Sequence, residues 1–417
     1  MGVTRRRLFF GAGALALSGV VGGSSRPSAP RVVIAGGGFA GACCALQLRR
    51  LDPGIQVTLI DPLLTYTTCP MSNEAIVGAR TLQSLRVTRA GLRSAGVVFR
   101  QDEVSAFDPI RHSVRLGGGR TLEYERLVVA PGIRLLYGQP QGYDEAAARL
   151  MPHAWLAGTQ TAALGACLRS VADGATVAIS VPAGLMRCPP APYERASLIA
   201  WWLRRHRRRC KVLIFDANNH FPRQDSFTAA WAQMYPGMIE WIPPGEGGLI
   251  TRVSAPDRTL YSASGAHQVA VACVIPPQAP GVLALTSGLC AGHGWCPVKA
   301  ETFESQLIED VHVIGDACIA GAMPKSASAA AAQAQQCAGA IVAALGGPQP
   351  PPAELSTVCY SMLAPSVALA IRGRFALQAD EIRAAATVSA TASAPSAAVA
   401  REAALWYRQV RSSCLGN

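Results

Sequence analysis

No two cysteines in this 417-residue chain stand three residues apart, and no C-x-x-C-H occurs. The first absence excludes the zinc-ribbon and dithiol spacings, and the second excludes a haem attached to this polypeptide. Past the N-terminal stretch no apolar run reaches the roughly 18 residues of a membrane-spanning helix, so no transmembrane span is expected. The formal charge of +12 is spread along the chain rather than gathered into a groove-reading element, which argues for a solvated surface and against nucleic-acid binding. Set against these absences are 13 cysteines with no metal spacing and a composition that is 50% apolar. Redox use of some thiols is therefore expected, no metal site is, and the length allows two or three full cores.

The first 30 residues read as an address. Thr4, Arg5, Arg6, Arg7, Leu8 and Phe9 precede a Gly- and Ala-rich apolar stretch to about residue 23, too short for a membrane anchor. This pattern looks like a twin-arginine export signal, which carries proteins already folded around a cofactor and would place the mature chain in the periplasm; a Sec signal or an uncleaved anchor is the alternative. The cleavage point stays open, because Ser28 and Ala29 are flanked by Pro27 and Pro30.

Two α/β units follow. In the first, an apolar strand at 31–35 meets a glycine turn, a helix through Arg50 and a strand at 56–60 that ends at Asp61. Strand signals at 113–116, 121–122 and 127–130 suit a hairpin and a return strand. The second unit has strands at 176–181 and 211–216 around a helix-like stretch at 196–209. A late strand at 312–317 and an Ala-rich helix at 326–345 then return to the first unit. Beyond the Pro/Gly linker at 346–352 lies a smaller tail with one amphipathic helix at 397–411.

Gly36, Gly38 and Gly41 satisfy G-x-G-x-x-G directly after a strand and at a helix start. Gly36 permits the tight turn, Gly38 lets a pyrophosphate approach the backbone, and Gly41 lets helix and strand pack closely. The helix N-terminus supplies free N–H groups to phosphate, and Asp61 is spaced to take a ribose hydroxyl. A second, distant signal selects FAD over NAD. Val313, Ile314, Gly315, Asp316 and Ala317 resemble the late strand-and-aspartate motif of glutathione-reductase-like flavoproteins, which implies that Asp316 contacts the ribityl-phosphate part of FAD. Lys325, before the Ala-rich helix, is expected to add positive charge near the flavin. The second unit lacks the glycine cradle: after its first strand stand Val181, Pro182, Ala183, Gly184, Leu185, Met186, Arg187, Cys188, Pro189 and Pro190, and prolines remove the donors a phosphate needs. NAD(P)H is therefore not expected as a substrate.

Five co-linear blocks carry a more specific resemblance. Thr67 to Glu74 around Cys69, Arg187 to Pro190 with Pro192 to Arg195, Gly294 to Val298 around Cys296, Gly315 to Ala317 with Met323 to Ser326, and Cys359 with Tyr360 and Ser361 resemble the flavoprotein subunit of flavocytochrome c sulfide dehydrogenase. The resemblance implies that Cys69 is bonded to the flavin 8α carbon, and that Cys188 and Cys359 form a redox-active disulfide beside the flavin. A purely structural bridge is the alternative, since closing a loop of roughly 170 residues would by itself contribute about 5 kcal/mol. Glu194 matches a glutamate near that disulfide and is a candidate proton acceptor, with burial raising its pKa towards neutrality. It is equally well read as a helix N-terminal carboxylate. Cys296, Cys43, Cys44 and the remaining cysteines (Cys167, Cys210, Cys273, Cys290, Cys318, Cys337, Cys414) are read as packing, with further bridges open in an oxidising compartment.

The expected fold is thus α/β, with two Rossmann-like dinucleotide-binding-type domains plus a small C-terminal domain. The signal occupies 1–30. The FAD-binding domain is discontinuous at 31–155 and 285–345, a domain degenerate for NAD lies at 156–284, and the C-terminal interface domain covers 346–417. The implied activity is oxidation of hydrosulfide through the disulfide and FAD, with electrons passed to a c-type cytochrome subunit that carries the haem. The rivals are a sulfide:quinone oxidoreductase and a non-catalytic FAD-containing electron carrier.

Overall fold

In the computed structural model, residues 1–2, 29–207, 209–292, 294–348, 355–378, 380–385 and 394–416 are described; the twin-arginine motif lies outside them. Arg31–Ala35 (β1) is buried along both faces after its first residue, as a central strand of a parallel sheet must be. It runs into Gly36, and Phe39–Leu51 (α1) then returns the chain to Gln56–Ile60 (β2). The turn is as tight as the glycines allow. A Cβ on Gly36, at φ +105°, would lie 2.3 Å from the Ala130 carbonyl oxygen, and one on Gly41 would lie 1.9 Å from that of Gly36. After a short helix, Ser72–Ile76 (α2), the strands Val98–Arg100 (β3) and Arg126–Val129 (β4) complete four strands of the sheet. A three-stranded antiparallel arm, Val104–Asp108, Ser113–Leu116 and Thr121–Glu123, precedes β4.

The second unit builds its own parallel sheet. Thr176–Val181 (β5) pairs with Lys211–Asp216 (β6) on one side and Val271–Val274 (β8) on the other, and Ile239–Ile242 (β7) extends the β6 edge. Between β5 and β6 runs Ala191–His206 (α3), which starts five residues earlier than the sequence suggests. The prolines are the reason. Pro190 is the N-cap and Pro192 falls in the first turn, where no intrahelical N–H is needed, so the Pro-rich run opens the helix instead of delaying it. Arg204, Arg205 and His206 in the last turn complement the helix dipole.

The chain then returns to the first sheet. Val311–Val313 (β9) pairs in parallel with β4, giving the order β3-β2-β1-β4-β9. Ala327–Ala344 (α4) follows and packs along α1, its first turn capped by the Ser326 hydroxyl accepting from the Ala329 N–H at 3.2 Å, an interaction worth about 1 kcal/mol.

The tail contains more than the expected helix. Leu355–Ala364 (β10) and Val367–Gln378 (β11) form a long antiparallel hairpin that places Cys359 opposite Ile371. β10 lies against α3 and α4 and is buried on both faces near its end, so the alternation that would have marked it is lost. Ala397–Leu415 (α5) is capped by Ser396 and packs on α1, where Cys43 meets Cys414. Among the described residues no helix is long and apolar enough to cross a membrane.

Candidate active site

The glycine turn and the residues at the ends of β1, β2, β4 and β9 line one cavity of about 740 Å³, a volume suited to a large ligand. At one end, Asp61 is held rigidly. Its Oδ2 accepts the Gly37 N–H at 2.7 Å, its Oδ1 accepts the Leu63 N–H at 2.8 Å, and Arg89 Nη2 lies 3.1 Å from Oδ1. Arg89 is only 2% exposed and also donates to the Gly37 carbonyl at 2.6 Å. Burial pulls its pKa down and Asp61 opposes that, so the pair braces the turn. Nothing in the sequence marked Arg89, a lone arginine far from the fingerprint. The start of α1 has no side-chain cap, and a Cβ on Gly38 would find no atom nearer than 3.8 Å. Uncapped N–H groups thus open onto free space beside Gly38, which is the arrangement a dinucleotide pyrophosphate needs.

Cys69, Tyr66, Trp155, Arg187 and Asp316 line the same cavity, with Tyr66 between Arg89 and Cys69. Trp155 has a buried indole N–H without a hydrogen-bond partner. Arg187 donates to the Trp155 carbonyl and sits among Cys69, Asp316, Tyr66 and Cys188; burial would lower its pKa, but those charges raise it overall. Burial pushes the Asp316 carboxyl up, against the pull of Arg187 and Lys325. These residues fit FAD: phosphate donors at the glycine turn, a ribose acceptor in Asp61, and a thiol and a buried acid farther along.

Lys325 is a correction. It does not line the cavity; its Nζ donates at 2.8 Å to the carbonyls of Asp316 and Cys318 and lies 3.8 Å from the centre of the Trp295 ring. Two carbonyls and an aromatic face satisfy an ammonium that the cavity would have left partly desolvated. What Lys325 gives the site is its own carbonyl, which accepts the Cys188 N–H at 2.7 Å.

Cys188 and Cys359 face this same cavity, one just before α3 and the other in the middle of β10. Both are thiols in the structure, not the bridge the resemblance implies. Cys188 has φ +51°, a left-handed conformation unusual for a residue with a Cβ, held by its N–H bond to Lys325 and its carbonyl bond to Ala191. Burial, then the neighbouring Cys359, pushes the Cys188 thiol well up; burial raises Cys359 as well, with Ser326 opposing. Glu194 lies within the field of both. Its carboxylate accepts from Asn73 Nδ2 at 2.9 Å and from the Met362 N–H at 3.1 Å, yet burial dominates and lifts its pKa to about 7. Arg195, 3.0 Å from Asn73 Oδ1, fixes the amide that holds Glu194. Asn73, Arg187 and Arg195 carried no recognisable role in the sequence beyond their place in the quoted blocks. Trp406 of α5 and Tyr360 of β10 complete the wall, so the tail builds part of the site.

Cys296 is fully buried and outside the cavity, its Sγ 3.6 Å from that of Cys290. In the second unit the acid at the end of β6, placed as Asp61 is placed at the end of β2, is already engaged by neighbouring side chains. Asp216, at the end of β6, is fully buried and accepts from Tyr193 Oη at 2.5 Å, Trp241 Nε1 at 2.9 Å and the Asn218 N–H at 3.0 Å. With neither glycine cradle nor free acid, NADH and NADPH are expected not to bleach the flavin on anaerobic mixing; rapid bleaching by either would contradict this reading of the second unit.

Comparison with known proteins places the chain. Residues 161–276 match the central domain of the flavoprotein chain of sulfide dehydrogenase [flavocytochrome c], and residues 30–149 match pyridine nucleotide-disulphide oxidoreductase. A 43-residue stretch, 10% of this chain, is 58% identical to 90% of the curated sequence of the sulfide dehydrogenase [flavocytochrome c] flavoprotein chain of Chlorobaculum thiosulfatiphilum. The mitochondrial sulfide:quinone oxidoreductase of Mus musculus is 25% identical over 330 residues, covering 72% of this chain and 68% of that one. Among solved structures, the sulfide:quinone oxidoreductase of Aquifex aeolicus superposes with a TM-score of 0.72 at 17% identity, covering 93% of this chain and 92% of that one. The chain therefore belongs to the FAD-dependent pyridine nucleotide-disulphide oxidoreductases, and its central region matches that of the flavocytochrome c sulfide dehydrogenase flavoprotein chain.

Proposed function

We propose that this protein oxidises hydrosulfide with Cys188, Cys359 and FAD, and hands the electrons to a c-type cytochrome subunit. The observation that carries the reading is that both cysteines and a neutral-range carboxyl, Glu194, share one cavity with the FAD cradle. With Cys188 and Cys359 oxidised to a disulfide, a hydrosulfide sulfur bonds to one of them as the bridge breaks. Its proton passes to the Glu194 carboxylate, and a persulfide is left on one cysteine and a thiolate on the other. The sulfide sulfur is oxidised and the bridge reduced. FAD, when bound, supplies two-electron acceptance and one-electron release, which suits a haem acceptor. Gly36, Gly38, Gly41, Asp61 and Asp316 hold FAD, and Cys69 tethers it. Cytochrome as acceptor is favoured by the 58% identity to the Chlorobaculum chain. Quinone is favoured by the mouse relative. The same reading has the twin-arginine signal carry the chain to the periplasm.

Sulfide-driven reduction of soluble cytochrome c and of a water-soluble quinone, measured side by side, separates the two acceptors. The proposal expects the cytochrome to be reduced many-fold faster, and the reverse order would assign the chain to the quinone type. A haem-stained partner should also co-purify from a native extract.

Glu194 gives a pH signature. As a proton acceptor it must be a carboxylate, so flavin reduction should rise as pH passes upward through about 7. Glu194→Gln removes that titration, and its rate, normalised to the hydrosulfide concentration at each pH, should lose the limb and fall roughly 10²-fold at its plateau. A variant that kept both limb and rate would give Glu194 the purely structural role of a helix N-terminal carboxylate.

A further inference from the structure

The thiols outside the cavity are not scattered, and one pair sits behind the cofactor's acid. Cys290 and Cys296 flank a tight turn in which the Ala291 N–H bonds the Trp295 carbonyl at 3.1 Å and the Gly294 N–H bonds the Ala291 carbonyl at 2.8 Å. That folding of the backbone brings their sulfurs to 3.6 Å. Cys296 is fully buried and Cys290 is partly open. Among the described residues no group of three His, Cys, Asp or Glu side chains gathers as a metal site.

From this turn the contacts lead to the cavity. Trp295, between the two sulfurs in sequence, presents its ring to Lys325 Nζ at 3.8 Å, and that ammonium clamps the carbonyls of Asp316 and Cys318 at 2.8 Å. Cys296 also pairs in parallel with Cys318. The turn Gly315–Ala317, which carries Asp316 into the cavity, is therefore held from behind by the 290–296 loop.

We propose that Cys290 and Cys296 close into a second disulfide, a clasp that seats Trp295 against Lys325 and so fixes the turn presenting Asp316. The chemistry is thiol–disulfide exchange with a disulfide-donating oxidoreductase or a small-molecule disulfide. The thiolate of Cys290, the more accessible sulfur, attacks the donor's bridge and releases one donor thiol. Cys296 then loses its proton and displaces the second donor thiol from Cys290, so two protein thiols become one disulfide and the donor disulfide becomes two thiols. The clasp is a positioning device and takes no part in the oxidation of sulfide.

The test uses the purified holoprotein, unfolded in excess N-ethylmaleimide and digested with trypsin without reductant. Residues 259–299 form one peptide that contains Cys273, Cys290 and Cys296. It should carry one maleimide, on Cys273, and be two hydrogens lighter than the dithiol form; three maleimides without reduction would overturn the proposal. In Cys290→Ser, Cys296 should become open to maleimide. A Cys296 that stays blocked in a cross-linked peptide with Cys318 would show that the pairing is wrong. The positioning claim is read by hydrogen–deuterium exchange, where amides of Gly315–Ala317 should exchange several-fold faster in Cys290→Ser than in wild type or in Cys167→Ser, a thiol remote from the turn. Unchanged exchange there would leave the bridge without the role assigned to it.

Discussion

Replacing either Cys188 or Cys359 by serine is expected to slow reduction of the flavin by sulfide at least about 10³-fold while leaving its visible spectrum intact. Neither thiol can form the proposed bridge alone, and in the proposed reaction it is the bridge that turns capture of sulfide into delivery of electrons at a fixed site. Groups held in one cavity with the right geometry reach effective molarities of about 10⁵ M or more, so losing one partner forfeits most of that gain. The structure strengthens the case for Cys188 in particular. Its left-handed backbone is held by hydrogen bonds to Lys325 and Ala191, and α3 begins three residues later, so its sulfur is presented by a fixed frame. Stopped-flow mixing with sulfide, with Cys167→Ser as the control, reads the effect. Near-wild-type reduction in either variant would mean that sulfide reacts with the flavin directly and that the pair serves stability.

Cys69→Ala is expected to abolish covalent retention of flavin altogether. Cys69 lines the cavity on the turn into α2, its Sγ 3.9 Å from the Trp155 carbonyl and close to Tyr66 and Arg187. A wild-type band that fluoresces on a denaturing gel should lose its signal in the variant. The folded variant should still take up FAD, because the glycine turn, Asp61 and Asp316 are untouched. Flavin that acid frees from the wild type would remove Cys69 from the role of tether.

The parts of the site legible in the sequence are those where chemistry fixes a local pattern. The glycine turn announces itself because no other residue fits at Gly36 or Gly41, where a Cβ would strike a carbonyl oxygen. Glu194 is placed by its spacing from Cys188, and its pKa near 7 follows from burial that the apolar run around it foreshadows. Lys325 could not be placed, because its partners, Trp295 and two carbonyls, converge only in three dimensions. Arg89 was invisible for the same reason: its partner Asp61 lies 28 residues back, with two short strands between them. The hairpin of β10 and β11 escaped because burial on both faces near its turn, at 361–364 and 368–370, erases the alternation of a half-exposed strand. That hairpin carries Cys359 and Tyr360 into the cavity wall.

The most direct test of the central claim is anaerobic titration of the purified flavoprotein with sulfide, followed at the flavin absorbance band and repeated with NADH. Sulfide should bleach the flavin fully at near-stoichiometric amounts, and NADH should leave it oxidised over the same time. Bleaching by NADH, with sulfide inert, would contradict that claim.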